Sequence, residues 1–485
     1  MKNLKIALIS SEVFPFAKTG GLADVAGALP KYLARREQDV IVVMPKYRTI
    51  DEKSFGLTDT GLEITVKMVK ETSQHRLFVS EHIPGVKTYF IEAPEYFDRE
   101  QLYGTPNGDY PDNAARFGFF AKSVLETLEA LDFEADIVHC NDWQTGLVPV
   151  FLKERSENGG FLSNAKTLFT IHNIAYQGLF EGEVLPKLGL PWKYFVMEGL
   201  EFWGKVSFMK GGIIFSDAVS TVSRKYSEEI QTAEFGYGLE TILASRRNVL
   251  HGIPNGIDPE EWDPEIDGDI AARYSASKPG PKATCKRALA NENGLVYSAD
   301  VPIIGMITRL AAQKGLDILS QCIEDVVDLG VNLVILGAGD DEYHQLLIEL
   351  KDELSGRIGV NIGFDSAMAK RIYAGSDMFL MPSRYEPCGL GQLISMRYGT
   401  IPIVRKTGGL SDTVAEFDPR TAQGTGFVFS EYTAGALTET AKRALNLYKD
   451  KTRWKKLVKN AMSYDSSWDR SSGEYVELYQ KILSR

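Results

Sequence analysis

The sequence predicts an α/β protein made of two doubly wound domains, each built on a parallel sheet. One observation is a series of short, nearly continuous apolar runs rich in Val, Ile and Leu, such as residues 39–44 and 332–336. Another is that each run ends in a Gly-rich or polar turn and precedes a helical pattern, as in strands buried on both faces of a parallel sheet. The third is the length of 485 residues, which exceeds one ordinary core.

The apolar runs form two series along the chain. The predicted strands of the first series are 4–10, 39–44, 135–139, 167–171 and 218–222, and those of the second are 303–307, 332–336, 377–381, 401–404 and 426–429. Residues 55–92 alternate more strongly between polar and apolar side chains, which indicates an antiparallel or mixed insertion. This number of strand–helix units is larger than one twisted sheet usually contains, and we therefore predict two sheets.

Chain-breaking residues mark the predicted domain boundary. Residues 254–282 contain Asn-Gly, two Asp-Pro pairs and Pro-Gly-Pro, a density typical of a linker. We predict an N-terminal domain over 1–258 and a C-terminal domain over 259–465. Large apolar residues at helical spacing predict a helix over 466–485, which we expect to pack back on the N-terminal domain.

Composition excludes some classes of function. The net charge is −11, from 54 basic and 65 acidic residues, and without a basic block the chain is a poor partner for nucleic acid or an anionic membrane. No apolar stretch approaches the roughly 20 residues of a membrane span. The four cysteines form no CxxC pair and no HExxH occurs, so we expect neither a structural metal nor disulfides. Without an export signal, we expect a cytoplasmic protein.

A glycine-rich turn follows the first predicted strand. Residues 18–25 read KTGGLADV and lead into a predicted helix. Gly20 and Gly21 would let a ligand approach the backbone, and the helix start would offer N–H groups to an anion. A tight structural turn explains the same residues equally well. Residues 406–410 nearly repeat this turn, with Thr407 and Gly408 in the matching places, which indicates two related domains.

Two basic residues follow a strand of the second series. Arg309 and Lys314 lie just beyond the predicted strand 303–307, where a guanidinium and an ammonium together suit a diphosphate. The alternative is a solvated basic pair, which the position after a strand disfavours.

A second loop of this half, residues 384–392, reads RYEPCGLGQ. There Glu386 could bind sugar hydroxyls, and the N–H groups near Leu390 and Gly391 could face phosphates. Cys388 is better explained as a small packed cysteine than as a nucleophile, since nothing supplies an obvious base for it.

Polar and aromatic residues end two neighbouring strands of the first series. Residues 139–145 read HCNDWQT and residues 170–178 read TIHNIAYQG. Asp142, His172 and Asn173 are side chains suited to sugar hydroxyls, and Trp and Tyr suit sugar faces. A lone buried histidine is more often a satisfied core residue. Because His139 and His172 end neighbouring strands, we expect both on the ligand side.

Taken together, these segments resemble the bacterial glycogen synthase and starch synthase family, glycosyltransferase family 5. The points of resemblance, in the family's order, are KTGGLADV at 18–25, HCNDWQTG at 139–146, TIHNIAYQG at 170–178, FGYGLE at 235–240, PNGID at 254–258, TRLAAQKG at 308–315, RYEPCGLGQ at 384–392, KTGGLSDTV at 406–414 and SWDR at 467–470. Each motif alone is weak evidence for the family, but nine motifs in the family's order are specific evidence for it.

The resemblance implies a retaining hexosyltransferase of the GT-B fold, with two Rossmann-like domains facing across a deep interdomain cleft. It implies ADP-glucose, sometimes UDP-glucose, as the donor and the non-reducing 4-hydroxyl of an α-1,4-glucan as the acceptor. It also implies that neither a metal ion nor a cofactor is needed. Retention without a carboxylate placed for attack favours front-face displacement, in which the leaving phosphate deprotonates the acceptor. We therefore assign no general base and do not take Glu386 as a covalent nucleophile.

The resemblance also implies roles for individual residues. In the N-terminal half, Lys18, Gly20 and Gly21 would contact donor phosphates and glucose. In the C-terminal half, Arg309 and Lys314 would hold the diphosphate. The other implied site positions are His172 and Glu386 on either side of the glucose, Asp142 and Asn255 near the sugar or acceptor, Phe364 on the nucleobase, the backbone of Leu390 and Gly391 on the phosphates, and Asp24, Asn173, Cys388, Gly389, Thr407 and Gly408 around them.

Three departures from the family pattern stand out. Phe364 lies where members usually have Tyr, and Gly391 lies where many have Thr. His139-Cys140-Asn141 replaces the commoner His-Ala-His, which bears on acceptor contacts.

Other classes remain open at this point. A glycogen phosphorylase would be longer and would need a lysine bound to pyridoxal phosphate. Another GT-B glucosyltransferase, such as a sucrose or trehalose synthase, would share the Arg, Lys and Glu of the C-terminal half but not the KTGGLADV start. A non-catalytic glucan- or phosphosugar-binding protein would have lost phosphate ligands that are present here.

Overall fold

The computed structural model describes residues 3–69, 71–105, 107–157 and 159–485. They form two compact units. The first unit runs to Ile253 and includes Trp468–Arg485, and the second is Pro254–Ser467. Each is an α/β unit with a parallel sheet, as the sequence predicts.

The elements of the first unit alternate along most of its length. Its strands are β1 (Lys5–Ile9), β2 (Asp39–Pro45), β3 (Thr58–Lys67), β4 (Thr72–Ser80), β5 (Lys87–Ile91), β6 (Gly104–Thr105), β7 (Gly108–Asp109), β8 (Ile137–Asn141), β9 (Lys166–Ile171), β10 (Leu179–Glu181), β11 (Glu201–Phe202), β12 (Lys205–Ser207), β13 (Ala218–Thr221) and β14 (Leu250–Gly252). Its helices before the second unit are α1 (Gly21–Arg35), α2 (Pro94–Phe97), α3 (Asn113–Ala130), α4 (Val148–Ser156), α5 (Val184–Lys187), α6 (Phe208–Phe215), α7 (Arg224–Glu229) and α8 (Glu240–Ser245).

The main sheet of this unit has the order β14-β13-β9-β8-β1-β2-β5-β4-β3. Pairing is parallel from β14 to β5, and β4 and β3 add antiparallel strands at one edge. The antiparallel edge confirms the insertion predicted for residues 55–92. The order reverses at β1, which has β2 on one side and β8 on the other. Such a switch point brings the loops after β1 and β8 together at the carboxyl ends of the strands.

The second unit has the strands β15 (Ile303–Ile307), β16 (Asn332–Gly337), β17 (Ile358–Ile362), β18 (Met378–Met381), β19 (Ile401–Arg405) and β20 (Phe427–Phe429). They form one sheet with the order β17-β16-β15-β18-β19-β20. Its helices are α9 (Lys282–Glu292), α10 (Leu316–Leu319), α11 (Ile323–Asp328), α12 (Asp341–Glu353), α13 (Ser366–Gly375), α14 (Gly391–Arg397), α15 (Gly408–Thr413), α16 (Ala434–Lys449) and α17 (Lys451–Met462).

The strands of this second sheet pair in parallel. The switch point lies between β15 and β18, because the chain moves outward through β16 and β17 and then returns to the other side of β15. The loops after β15 and β18 are therefore neighbours. These loops contain the predicted phosphate-binding residues and Glu386.

A last helix, α18 (Trp468–Leu483), returns to the first unit. Tyr475 and Tyr479 on this helix are fully buried in that unit's core. At its surface Arg36 Nε donates to Ser472 Oγ at 2.9 Å, and Arg224 Nη2 lies 2.8 Å from Glu474 Oε2. Helix α18 therefore belongs to the first core although it follows the second unit in sequence.

A search of the described residues finds no helix long and apolar enough to cross a membrane.

Candidate active site

The loop after β1 is held by the carboxylate of Glu12. One oxygen of this nearly buried side chain accepts from Thr19 N at 2.5 Å and Gly20 N at 3.2 Å. The other accepts from Thr19 Oγ1 and from Tyr103 Oη, both at 2.7 Å. The carboxylate thus fixes the first turn of the KTGGL segment from inside the unit. Glu12 was not predicted from the sequence, because Tyr103 lies 91 residues away along the chain.

The predicted ligand residues of this loop lie at its surface. Lys18 Nζ lies 2.6 Å from Asp24 Oδ1, and both side chains are partly exposed. Burial raises the pKa of Asp24, and the Lys18 ammonium opposes that rise. A Cβ added at Gly20 or Gly21 would meet no described atom within 4 Å. Internal packing therefore does not require these glycines, and the space beside their backbone is open.

Asp142 follows β8 in a strained conformation. Its φ is +56°, which is uncommon for a residue other than glycine. Its Oδ1 accepts from His172 N at 2.7 Å and from Asn173 N at 3.5 Å, so the carboxyl group ties the loop after β8 to the loop after β9. Burial raises the pKa of Asp142 to about 7, against the lowering effect of these N–H groups.

The two histidines have different positions, which corrects the expectation that both lie on the ligand side. His139 is inside β8 and fully buried, with Nε2 2.6 Å from Thr170 Oγ1 and Nδ1 2.9 Å from Tyr479 Oη of α18. It is a satisfied core residue, because β8 continues two residues beyond the predicted end. His172 follows β9 at the carboxyl edge of the sheet, and burial lowers its pKa to about 3, so its ring is neutral.

In the second unit, the loops after β15 and β18 bring Lys314 and Glu386 together. Lys314 Nζ lies 2.9 Å from Glu386 Oε1 and 2.7 Å from Oε2. Ser383 Oγ donates to Glu386 Oε2 at 3.0 Å. The Glu386 side chain is 8% exposed, so this is a mostly desolvated pair. Arg309 lies on the same loop as Lys314, and its Nη2 donates to Gln313 Oε1 at 3.0 Å.

The second TGG segment packs against the Glu386 loop. Gly409 N donates to Glu386 O at 3.0 Å. A Cβ at Gly408 would overlap Glu386 O, and one at Gly409 would overlap Cys388 O. Unlike Gly20 and Gly21, these glycines are required by close backbone contact. Thr407, which precedes them, is buried. The two TGG segments are therefore alike in sequence, but close packing requires the glycines only in the second segment.

Cys388 is a packed thiol. It is buried, and burial raises its pKa to about 12, so it is not a thiolate nucleophile at neutral pH. Its neighbour is Asn255, which lies in the second unit and approaches the sulfur with backbone and side-chain N–H groups. Within the described residues, Asn255 Oδ1 is buried without a hydrogen-bond partner. An acceptor without a partner is a place where a ligand donor could bind.

The remaining predicted residues lie at the surface of the second unit. The backbone at Gly389 has a positive φ of +72°, and Leu390 caps the start of α14. A Cβ at Gly391 would lie 2.9 Å from the Phe379 ring, which explains why this chain has no larger residue there. Phe364 follows β17 and is 85% exposed, so its ring face is open to solvent.

One cluster that the sequence did not predict braces the Glu386 loop. Tyr432 lies beneath the guanidinium groups of Arg384 and Arg405, at 4.9 and 5.2 Å from its ring centroid. Asp317 links two of these residues: its Oδ2 accepts from Arg384 Nη2 at 2.8 Å, and its Oδ1 accepts from Tyr432 Oη at 2.5 Å. Burial, and then the hydrogen bond to Asp317, raise the pKa of Tyr432 to about 12. Among the described residues, no group of three or more His, Cys, Asp or Glu could hold a metal ion.

Two family models match the chain in succession. Residues 5–245 match the starch synthase catalytic domain, and residues 292–461 match glycosyl transferases group 1. A solved sucrose-phosphate synthase from Thermosynechococcus elongatus has the same fold, with a TM-score of 0.59 at 20% identity over 99% of each chain. Fold and sites together define a glycosyltransferase of the GT-B class.

Proteins with higher sequence identity show which family within this class the chain belongs to. A glycogen synthase from Geotalea uraniireducens is 47% identical over 482 residues, 99% of each chain, and one from Thermosipho africanus is 45% identical over 489 residues, 99% of this chain and 100% of its own. The catalytic domain of starch synthase IV from Arabidopsis thaliana, bound to ADP and acarbose, superposes with a TM-score of 0.93 at 34% identity, covering 100% of both chains. The chain belongs to the glycogen synthase and starch synthase family.

Proposed function

We propose that this protein is an ADP-glucose:α-1,4-glucan 4-α-glucosyltransferase. It transfers glucose, with retention, to the non-reducing 4-hydroxyl of a glucan. The observation that carries the proposal is the desolvated Lys314–Glu386 pair at the switch point of the second sheet. Family membership and the ADP bound to the similar starch synthase IV support the choice of donor.

The pair suits simultaneous recognition of a sugar and a phosphate. An ammonium group has three N–H donors, and two of those on Lys314 point to the two oxygens of Glu386. The third can donate to a phosphate oxygen of the donor. Glu386 Oε1 accepts from Lys314 alone among the described residues, so it retains room for a sugar hydroxyl.

Arg309 supplies the second positive charge. Because Glu386 neutralises Lys314 in part, the guanidinium of Arg309 is needed to balance the charge that grows on the leaving diphosphate. Backbone N–H groups near Leu390 and Gly391 add to this stabilisation. The exposed ring of Phe364 then stacks on the nucleobase.

The first unit supplies groups for sugar hydroxyls and phosphates. Neutral His172 and the carboxyl group of Asp142 bind sugar hydroxyls, with Asn173 beside them. Lys18 and the open backbone at Gly20 and Gly21 bind the donor. The leaving phosphate oxygen takes the proton of the acceptor hydroxyl, so the protein contributes orientation and charge stabilisation rather than a general base.

The donor is tested by incubating the pure protein with glycogen and radiolabelled ADP-glucose or UDP-glucose in the presence of EDTA. We expect incorporation from ADP-glucose, with the anomeric configuration retained. No incorporation from either donor contradicts the proposed activity. Incorporation from UDP-glucose alone contradicts the choice of nucleotide only.

The site is tested with Lys314→Ala and Glu386→Ala. Loss of either charged contact should lower kcat/KM by about 10²- to 10³-fold. Lys351→Ala, an exposed lysine on α12, is the matched control and should have the wild-type rate. Circular dichroism verifies that the variants fold. Near-wild-type rates in folded Lys314→Ala would refute the assignment of the donor site.

A further inference from the structure

The side chain of Asn141, the last residue of β8, connects β1 to the loop after β9. It is buried, with 1% of its surface exposed. Its Nδ2 donates to Ile9 O at 3.0 Å and lies 3.5 Å from His139 O. Both of these atoms are carbonyl oxygens, which only accept hydrogen bonds. The NH2 group of Asn141 must therefore face them, and its oxygen must face the other way.

On that other side lies the ring of His172. Its Nε2 is 2.9 Å from Asn141 Oδ1. An amide oxygen only accepts, so Nε2 must carry a hydrogen. Burial keeps the ring neutral by lowering the pKa of His172 to about 3. A neutral imidazole has one N–H, and Nδ1 is therefore an unprotonated acceptor.

The neighbouring polar side chains do not form hydrogen bonds with Nδ1 of His172. Asp142 Oδ1 binds the backbone N–H of His172. His139 uses both of its nitrogens on Thr170 and Tyr479. Within the described ranges, Nδ1 of His172 makes no hydrogen bond to the protein. The ring thus presents one acceptor at the carboxyl edge of the first sheet.

We propose that Asn141 is a positioning residue that fixes the Nε2–H tautomer of His172, so that Nδ1 accepts a hydrogen bond from a hydroxyl of the transferred glucose. The second half of this statement rests on the proposed function. Asparagine does not titrate, so the tautomer stays the same at every pH at which the ring is neutral.

The tautomer is tested in the free protein by two-bond 1H–15N correlation spectra of 15N-histidine-labelled samples. The chain has six histidines, and the signals of His172 are those lost in His172→Gln. We expect a neutral Nε2–H ring from pH 5.5 to 8. A Nδ1–H ring or an imidazolium in the wild type overturns the proposal.

Variants test whether Asn141 is the cause. Asn141→Leu should release the ring into a mixture of tautomers, whereas Cys140→Ala, the matched control in the same strand, should leave the spectrum unchanged. If Asn141→Leu does not fold, Asn141→Ala removes the amide without adding bulk and should release the ring in the same way, whereas Asn141→Asp keeps an acceptor facing Nε2 and should keep the Nε2–H ring. An unchanged Nε2–H ring in folded Asn141→Leu or Asn141→Ala, or a Nδ1–H ring in Asn141→Asp, overturns the proposal.

The contact with glucose is tested by kinetics with ADP-glucose and glycogen. Asn141→Leu should lower kcat/KM by about tenfold, the effect of one neutral hydrogen bond. If Asn141 acts through His172, it should have no further effect in the His172→Gln background. Additive losses overturn a role through His172. A wild type inactive with both nucleotide donors refutes the proposed function and the glucose contact, while the spectra still decide the tautomer.

Discussion

Asp142 should make the first unit less stable at high pH than at low pH. The residue is only 9% exposed, and burial raises the pKa of its carboxyl group from 3.8 to about 7. Between these two values the folded protein binds a proton that the unfolded chain has released. The free energy of unfolding therefore falls as the pH rises from about 4 to 7. Asp142→Asn removes the titrating group but keeps an oxygen for His172 N, and because the two side chains have the same shape, the backbone strain at φ +56° is unchanged by the substitution.

The size of the effect follows from the pKa change. A rise from 3.8 to about 7 corresponds to about 4 kcal/mol at pH 8. The same linkage gives about 2 kcal/mol at pH 5 and less than about 1 kcal/mol at pH 4. For a unit of roughly 270 residues, about 2 °C per kcal/mol predicts that Asp142→Asn melts about 8 °C higher than the wild type at pH 8.

The assay is differential scanning calorimetry of the wild type and Asp142→Asn at pH 4, 5 and 8. Asp109→Asn, at an exposed site in the same unit, is the control and should match the wild type at each pH. Transfer activity of Asp142→Asn should fall, because a group that binds substrate is lost. A stability gain that is equal at pH 4 and pH 8, or no gain at pH 8, would refute the reasoning.

Two further predictions concern residues around the ligand-binding loops. Glu12→Ala removes the acceptor of Thr19 N–H and Gly20 N–H, so it should loosen the KTGGL turn and lower kcat/KM for ADP-glucose by about tenfold. Initial rates check this, with Glu63→Ala at an exposed site of the same unit as the control, and an unchanged value would contradict it. Gly391→Thr introduces a Cβ 2.9 Å from the Phe379 ring, which should cost about 1–3 kcal/mol by urea unfolding; an equally stable variant would show that the ring moves easily.

The sequence predicts the sheets well because their strands are buried on both faces. A run such as 332–336 is apolar at nearly every position, and this needs no knowledge of its neighbours. The strands β11 and β14 were missed, since two or three residues carry no periodicity. The sequence predicted that the strands pair in parallel, but it did not predict which strands are neighbours in each sheet.

The candidate site was predicted less completely, for a different reason. Lys314 and Glu386 could be proposed from the sequence because each follows an obvious strand, but their 2.7 Å contact joins residues 72 apart and could not be predicted. Glu12 was missed, because nothing in its neighbourhood shows that Tyr103 will reach it. His139 was assigned to the ligand side because the end of its strand was placed two residues early. The local sequence pattern thus predicts which loops carry candidate ligand-binding residues. Which of their side chains are in contact depends on packing between distant parts of the chain.

The return of α18 to the first unit has a consequence for synthesis on the ribosome. The first unit lacks Tyr475 and Tyr479 of its core until the whole second unit has been translated. Domains commonly fold as units during synthesis, and exposed apolar surface favours aggregation. His139 Nδ1 receives its partner, Tyr479 Oη, only when α18 docks. Until α18 is made, the part of the first core that α18 covers stays exposed to solvent, so we expect aggregation of the nascent first unit to be most favoured during that interval.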